Sequence, residues 1–194
     1  PPAPAPPPQQ GQEEARAARP ARPPGGRADS YLDRPLLERC ITRGLPGALL
    51  PGLYNNNIRI TQAPGHVAIV HEMVHETRIV PLGDADFGDM RSYMGESRGR
   101  FEGDTLVIET RNFNGKAPYR GAGENLKLTE RYTRVGPQTI DFRLTFEDET
   151  QWTQPWTVAY FMRPAEGELY EYACHEGNYG MVNILQGARQ EERE

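Results

Sequence analysis

A chain of 194 residues with 22 Lys and Arg against 27 Asp and Glu carries a net charge of −5 and shows no basic stripe, which makes it a poor match for nucleic-acid phosphates. No apolar run approaches the ~18 residues that cross a bilayer as a helix. The length suits one domain of about 100–200 residues together with a tail.

Residues 1–28 hold nine of the eighteen prolines and almost no large apolar side chain, the composition of a disordered Pro/Arg-rich spacer. Arg16, Arg19, Arg22 and Arg27 outnumber Glu13 and Glu14 by two, so the −5 of the whole leaves −7 for the remainder. The first residue is proline rather than methionine, so the chain reads as a processed product from which any signal peptide has been removed. Such a spacer fits between an export signal or lipid anchor and an extracellular domain, and a periplasmic or extracellular location is expected. A single β-rich domain is expected over 29–190 and a frayed terminus over 191–194.

Asp33 to Gly44 reads as a short helix, with Asp33 as N-cap, Pro35 in the first turn and Gly44 as the stop. Leu45 to Tyr54 reads as a loop that Asn55, Asn56 and Asn57 continue, since asparagine tolerates left-handed backbone angles. Cys40 near the start of the globular part and Cys174 near its end are expected to be bridged in an oxidising compartment.

His66 to Val80 holds three of the four histidines and has two incompatible readings. As a helix it presents His71-Glu72-Met73-Val74-His75, an H-E-x-x-H match in which two imidazoles about 5–6 Å apart bind zinc and the glutamate activates water. As a strand it separates the same imidazoles by about 13 Å, at roughly 3.3 Å per residue, too far for one ion. Seven of its fifteen residues are β-branched and it alternates throughout, so the strand is favoured. Val67, Ile69, His71, Met73, His75, Thr77 and Ile79 form its expected inward face.

Leu82 to Gly95 has no period. Arg98 to Phe113 reads as a hairpin turning at Glu102-Gly103-Asp104, and Leu126 to Val135, Thr139 to Glu147, Gln154 to Met162 and Glu168 to Cys174 read as further strands. Asn178 to Arg189 has helical spacing. About eight or nine antiparallel strands at this spacing predict a mainly β fold, an antiparallel barrel of calycin or lipocalin type or a sandwich, with short N- and C-terminal helices.

Two segments concentrate the chemistry. His75 and His175, with Glu72 and Glu171, are the expected acid–base residues, and His71, His75 and His175 are the candidate ligands of a divalent metal. Arg98 would orient an anion, Trp152 and Trp156 would stack a ring, and Asn56 would add a polar contact. Against these stand plainer readings: Arg78, Arg98 and Arg100 as partners of Glu102, Glu109 or Glu130, the tryptophans as core cover, and the asparagines as turn formers. A zinc protease also needs a third ligand, and the next histidine after His75 is His175.

The segments DRPLLERCITRGLP (33–46), SRGRFEGDTLVIETRNF (97–113), 131–148 with 152–156, and YEYACHEGNYG (170–180) resemble a large group of bacterial proteins predicted to be exported, whose activity is uncharacterised. The resemblance covers about residues 30–190 and implies export. In that group the position of His71 often holds another residue while Glu72 and His75 match more closely, which weighs against the metalloprotease. The expected function is an exported β-barrel that binds a small organic ligand, with lyase or hydrolase chemistry by His/Glu groups as an extension. The alternatives are a non-enzymatic extracellular binding or assembly subunit and the zinc metallohydrolase.

Overall fold

The computed structural model describes residues 28–193; the spacer expected over 1–28 lies, but for its last residue, outside them. The fold is mainly β, in two antiparallel sheets with a few short helices. The first sheet has the order β1-β2-β3, with β1 at Ile58–Ala63, β2 at His66–His71 and β3 at Thr77–Pro81. The second is a five-stranded meander of β4 (Glu96–Glu102), β5 (Thr105–Arg111), β6 (Lys127–Gly136), β7 (Thr139–Glu147) and β8 (Trp156–Met162).

The single strand expected over 66–80 is instead a hairpin. Its two halves pair Val67 with Val80 and Ile69 with Arg78, and the chain reverses through a 3-10 turn at Met73–His75. Alternation runs unbroken across this turn because Val74 and His75, rather than glycine or asparagine, occupy the left-handed positions, each with φ of 58°. The reversal exchanges faces in the second half. Arg78 and Val80 turn inward and Ile79 outward, opposite to the expectation from one continuous strand. The H-E-x-x-H pentapeptide therefore lies on a strand end and a turn, not on a helix.

The expected helix over 33–44 is also absent. Arg34 precedes a proline and takes an extended conformation, φ −89° and ψ 147°, as the clash with a following pyrrolidine ring dictates. A 3-10 turn at Tyr31–Asp33 forms, closed by a capping box between Ser30 and Asp33, and 36–40 follows as hydrogen-bonded turns. A short helix, α1 (Leu45–Leu49), forms where a loop was expected, with Pro46 in its first turn. The final helix, α2 (Tyr179–Glu191), is capped by the Asn178 side chain, as its spacing predicts. Residues 168–174 do not form a ninth strand. Alternation supplies propensity, but a strand needs a ladder, and 165–169 meets β1 through side chains such as Glu168 with Arg59.

The core lies between the sheets. Val67, Ile69 and Val80 face Leu106, Ile108, Leu128, Phe142, Leu144 and Phe146, and Leu45 and Leu49 of α1 join them. A parallel bridge between Leu82 and Gly99 links the end of β3 to β4. A Cβ at Gly99 would come within 2.9 Å of both Leu82 and Val80, so the approach requires glycine. The Cys40–Cys174 disulfide is formed, with a Cα separation of 5.6 Å, and ties the N-terminal segment to the start of α2.

Candidate functional site

The β2–β3 turn is strained, the one place among the described residues where two consecutive non-glycine residues have positive φ. A β-branched residue at positive φ is a conformational outlier, and here Val74 is followed directly by His75 in the same region. Cys40 and Asn55, on segments that brace this end, also have positive φ. Such outliers persist where surrounding contacts over-determine the chain, and they concentrate at binding and catalytic sites.

The bracing contacts are specific. Glu72 holds the preceding loop twice: its amide donates to the Asn57 carbonyl at 3.0 Å, and its carboxylate accepts the Asn57 amide at 3.1 Å. The His71 amide donates across the turn to the Glu76 carbonyl at 2.8 Å. The Glu76 side chain accepts from the Thr42 hydroxyl and, at 3.3 Å, from the Arg43 amide. Burial pushes the Glu76 carboxyl above its ordinary value, against the opposing pull of these two donors.

His75 is exposed at the tip of the turn, and its Nδ1 accepts the Tyr172 amide at 3.4 Å. Tyr172 sits two residues before Cys174, so the disulfide-tied segment meets the turn at this contact. Burial raises the Tyr172 phenol, its hydrogen-bonded neighbour Tyr54 adds to the effect, and the Arg43 guanidinium opposes it. That guanidinium lies flush on the chain at Gly52, where a Cβ would stand 2.6 Å from Nη2. Through Tyr172 and Glu76 these contacts link Arg43, Tyr54 and His75 along one rim of the turn. With Nδ1 as acceptor, the neutral imidazole carries its proton on Nε2 and offers a donor. Beside a guanidinium and two phenols, this set suits an anionic or carbonyl oxygen.

Of the expected acid–base residues, the structure brings His75 to this rim and uses Glu72 to brace it. Glu171 and His175 are exposed on the adjoining segment, where the His175 carbonyl accepts the Asn178 amide at 3.3 Å. The metal set does not assemble: among the described residues no three His, Cys, Asp or Glu side chains group to hold an ion. His71 is separated from the other two by burial, since it faces the core at 1% exposure. Arg98 lies on the outer face of the second sheet, committed to Glu96 and the Asp86 carbonyl. Trp156 stacks on Phe146 at 4.1 Å and Trp152 meets it edge-on at 5.4 Å, so both cover the core. Asn56 closes a loop with Gly52, accepting its amide at 2.6 Å. Sequence reasoning passed over Glu76, Arg43, Tyr54 and Tyr172; the signal for Glu76 was a carboxylate directly beside His75.

Between the two sheets lies a second polar group. Arg78 makes two hydrogen bonds of 2.7 Å to Glu130, and Tyr132 donates to the same carboxylate at 2.7 Å. His71 adjoins this pair and is almost wholly buried. Burial lowers its pKa from 6.5 to about 4, Arg78 adds to the fall, and Glu130 and the Ala48 carbonyl oppose it. Between these values the unfolded chain takes up a proton that the folded chain refuses, so stability falls as the pH drops from about 6.5 towards 4 and levels off below. The loss expected is roughly 2–3 kcal/mol. Urea unfolding across this interval checks it: His71→Leu should flatten the decline, and an unchanged decline in the variant would refute the assignment to His71.

No family model, curated protein or solved structure matches the chain.

Proposed function

We propose that this chain is an exported β-domain that binds a small organic ligand, through an anionic or carbonyl oxygen, at the rim of Arg43, Tyr54, His75 and Tyr172. The observation that carries this reading is the turn at Val74 and His75, which brings an imidazole onto the Tyr172 amide, the residue whose phenol meets Tyr54 and feels the Arg43 charge. The disulfide and the resemblance to exported bacterial proteins support the location. We read the two sheets as a calycin-like barrel left open between β1 and β8, with its interior filled by side chains. The ligand then sits at the mouth rather than inside. Lyase or hydrolase chemistry by His75 extends this reading, with His175 and Glu171 on the adjoining segment as the candidate acid–base partners.

An amide-resolved NMR screen of small carboxylate and carbonyl fragments tests the site. Binding fragments should shift Tyr54, His75 and Tyr172 together, and Arg43→Ala should weaken them by about tenfold, as loss of a charge-assisted hydrogen bond does. Fragments that leave these signals unmoved, or that bind Arg43→Ala equally well, would remove the proposal.

A specific observation favours a non-enzymatic interaction subunit as the second reading. Helix α2 buries no side chain fully, and Val182 and Leu185 line an open cavity of about 520 Å³ along it. In that case the shifts would gather on α2 instead of the rim.

A further inference from the structure

Among the described residues, strand β8 ends the five-stranded sheet and pairs only with β7. Its inward residues Trp156, Val158, Tyr160 and Met162 are all partly exposed, whereas their neighbours Phe142, Leu144 and Phe146 on β7 are fully buried. That contrast marks an open flank. The other outer strand, β1, is treated differently: it carries Arg59, and residues 165–169 lie along it. Soluble proteins ordinarily blunt a free edge with charge, proline or a covering segment. Among the eight strands described, β8 alone contains no Asp, Glu, Lys, Arg or His; it reads Trp-Thr-Val-Ala-Tyr-Phe-Met, bounded by Pro155 and by Arg163-Pro164.

We infer that β8 is a pairing edge for a second copy of this chain, joined antiparallel about a two-fold axis at Ala159. Charge permits a second copy, and the self-complementary register favours one. A two-fold interface sets each residue against its own symmetry mate or a near neighbour, so any charged strand would meet its own sign, and this strand has none. Centring on Ala159 places Trp156 opposite Met162, Thr157 opposite Phe161 and Val158 opposite Tyr160. Aromatic residues then face β-branched or flexible apolar ones, the favourable class of cross-strand pair. The prolines fix the register, because sliding the strands by two residues brings Pro155 or Pro164 into the ladder, where it has no N–H to donate. The exposed outward side chains Thr157, Ala159 and Phe161 extend each monomer's outer face across the join. One strand pair is a small interface, so the dimer is a weak one that assembles in a single closed step.

The mass of the oxidised, full-length chain, measured by sedimentation across a concentration series, tests this. The expected result is a rise from one chain to two, with no larger species. Ala159→Lys sets two ammonium groups opposite each other at about 4.5–5.5 Å between Cβ atoms and should raise the dissociation constant by about tenfold or more. Val135→Lys, an exposed change elsewhere, should leave it unaltered. A monomer throughout, growth beyond two chains, or a dimer indifferent to Ala159→Lys would each overturn the inference. Should Ala159→Lys fail to fold, amide exchange of the native chain decides instead: protection of β8 amides that grows with concentration supports the pairing, and protection independent of concentration refutes it.

Discussion

Replacing Glu130 by glutamine is expected to destabilise the fold by about 3–5 kcal/mol, the cost of leaving one partner of a buried ion pair unmatched. Glu130 is wholly inaccessible, and the Arg78 side chain retains 4% exposure. Both guanidinium contacts are 2.7 Å and in parallel, the bidentate geometry that suits arginine and carboxylate. Burial alone would pull the Arg78 pKa down, yet the neighbouring carboxylate more than compensates and the group remains charged. Tyr132, pushed up by burial and by Glu130, stays a phenol and donates to that carboxylate. Every anionic contact of Arg78 seen here therefore runs through one residue. Arg78→Met combined with Glu130→Leu and Tyr132→Phe should recover most of the loss, since apolar side chains of similar volume replace such a group at little cost once no buried donor is left unpaired. Denaturant midpoints of the two variants check this. A Glu130→Gln loss below about 1 kcal/mol would mean that water reaches the pair and that the sheets are less tightly closed than their contacts indicate.

The pairing of Arg78 with Glu130 was legible in the sequence as a possibility among surface pairs; its burial was not. Alternation on β6 places Leu128, Glu130 and Tyr132 on one face, and a carboxylate between two large apolar residues is the local sign of an interior charge. The partner was hidden by the misread hairpin. Treating 66–80 as one strand put Arg78 on the opposite face from His71, and only the reversal at Val74 and His75 brings both residues inward. The second sheet was read more faithfully because its turns carry their own chemistry, as at Gly103, with φ of 58°. The rim was invisible for a different reason. Arg43, Tyr54, His75 and Tyr172 come from four separate segments, and the contacts that join them depend on where a disulfide spanning 134 residues anchors the chain. Pattern within a window carries no information about such closures.

That disulfide sets the second large effect. Replacing Cys40 and Cys174 by serine should cost about 4–5 kcal/mol, since a bond closing a loop of 134 residues removes much of the freedom of the unfolded chain. The loss should also be uneven in space. Helix α2 buries no side chain fully, though Met181, Ile184, Leu185 and Ala188 are partly covered, and it is tied by Asn178 donating to the Glu38 carbonyl at 2.8 Å and by Arg189 donating to the carbonyls of Asp29 and Ala28. Those partners lie on a segment that itself has only turns, so releasing the covalent tie frees both sides together. The sheets keep their ladders and their core, which contain neither cysteine. Amide exchange in the serine variant should therefore show α2 opening at a free energy well below that of β5, β6 and β7, whereas in the oxidised chain the gap is smaller. The Tyr172 contact to His75 belongs to the freed segment, so fragment binding at the rim should weaken with it while the sheet signals remain in place. If α2 and the sheets instead open together in the variant, the helix is held by packing rather than by the bond. The rim would then owe its geometry to the strained turn alone.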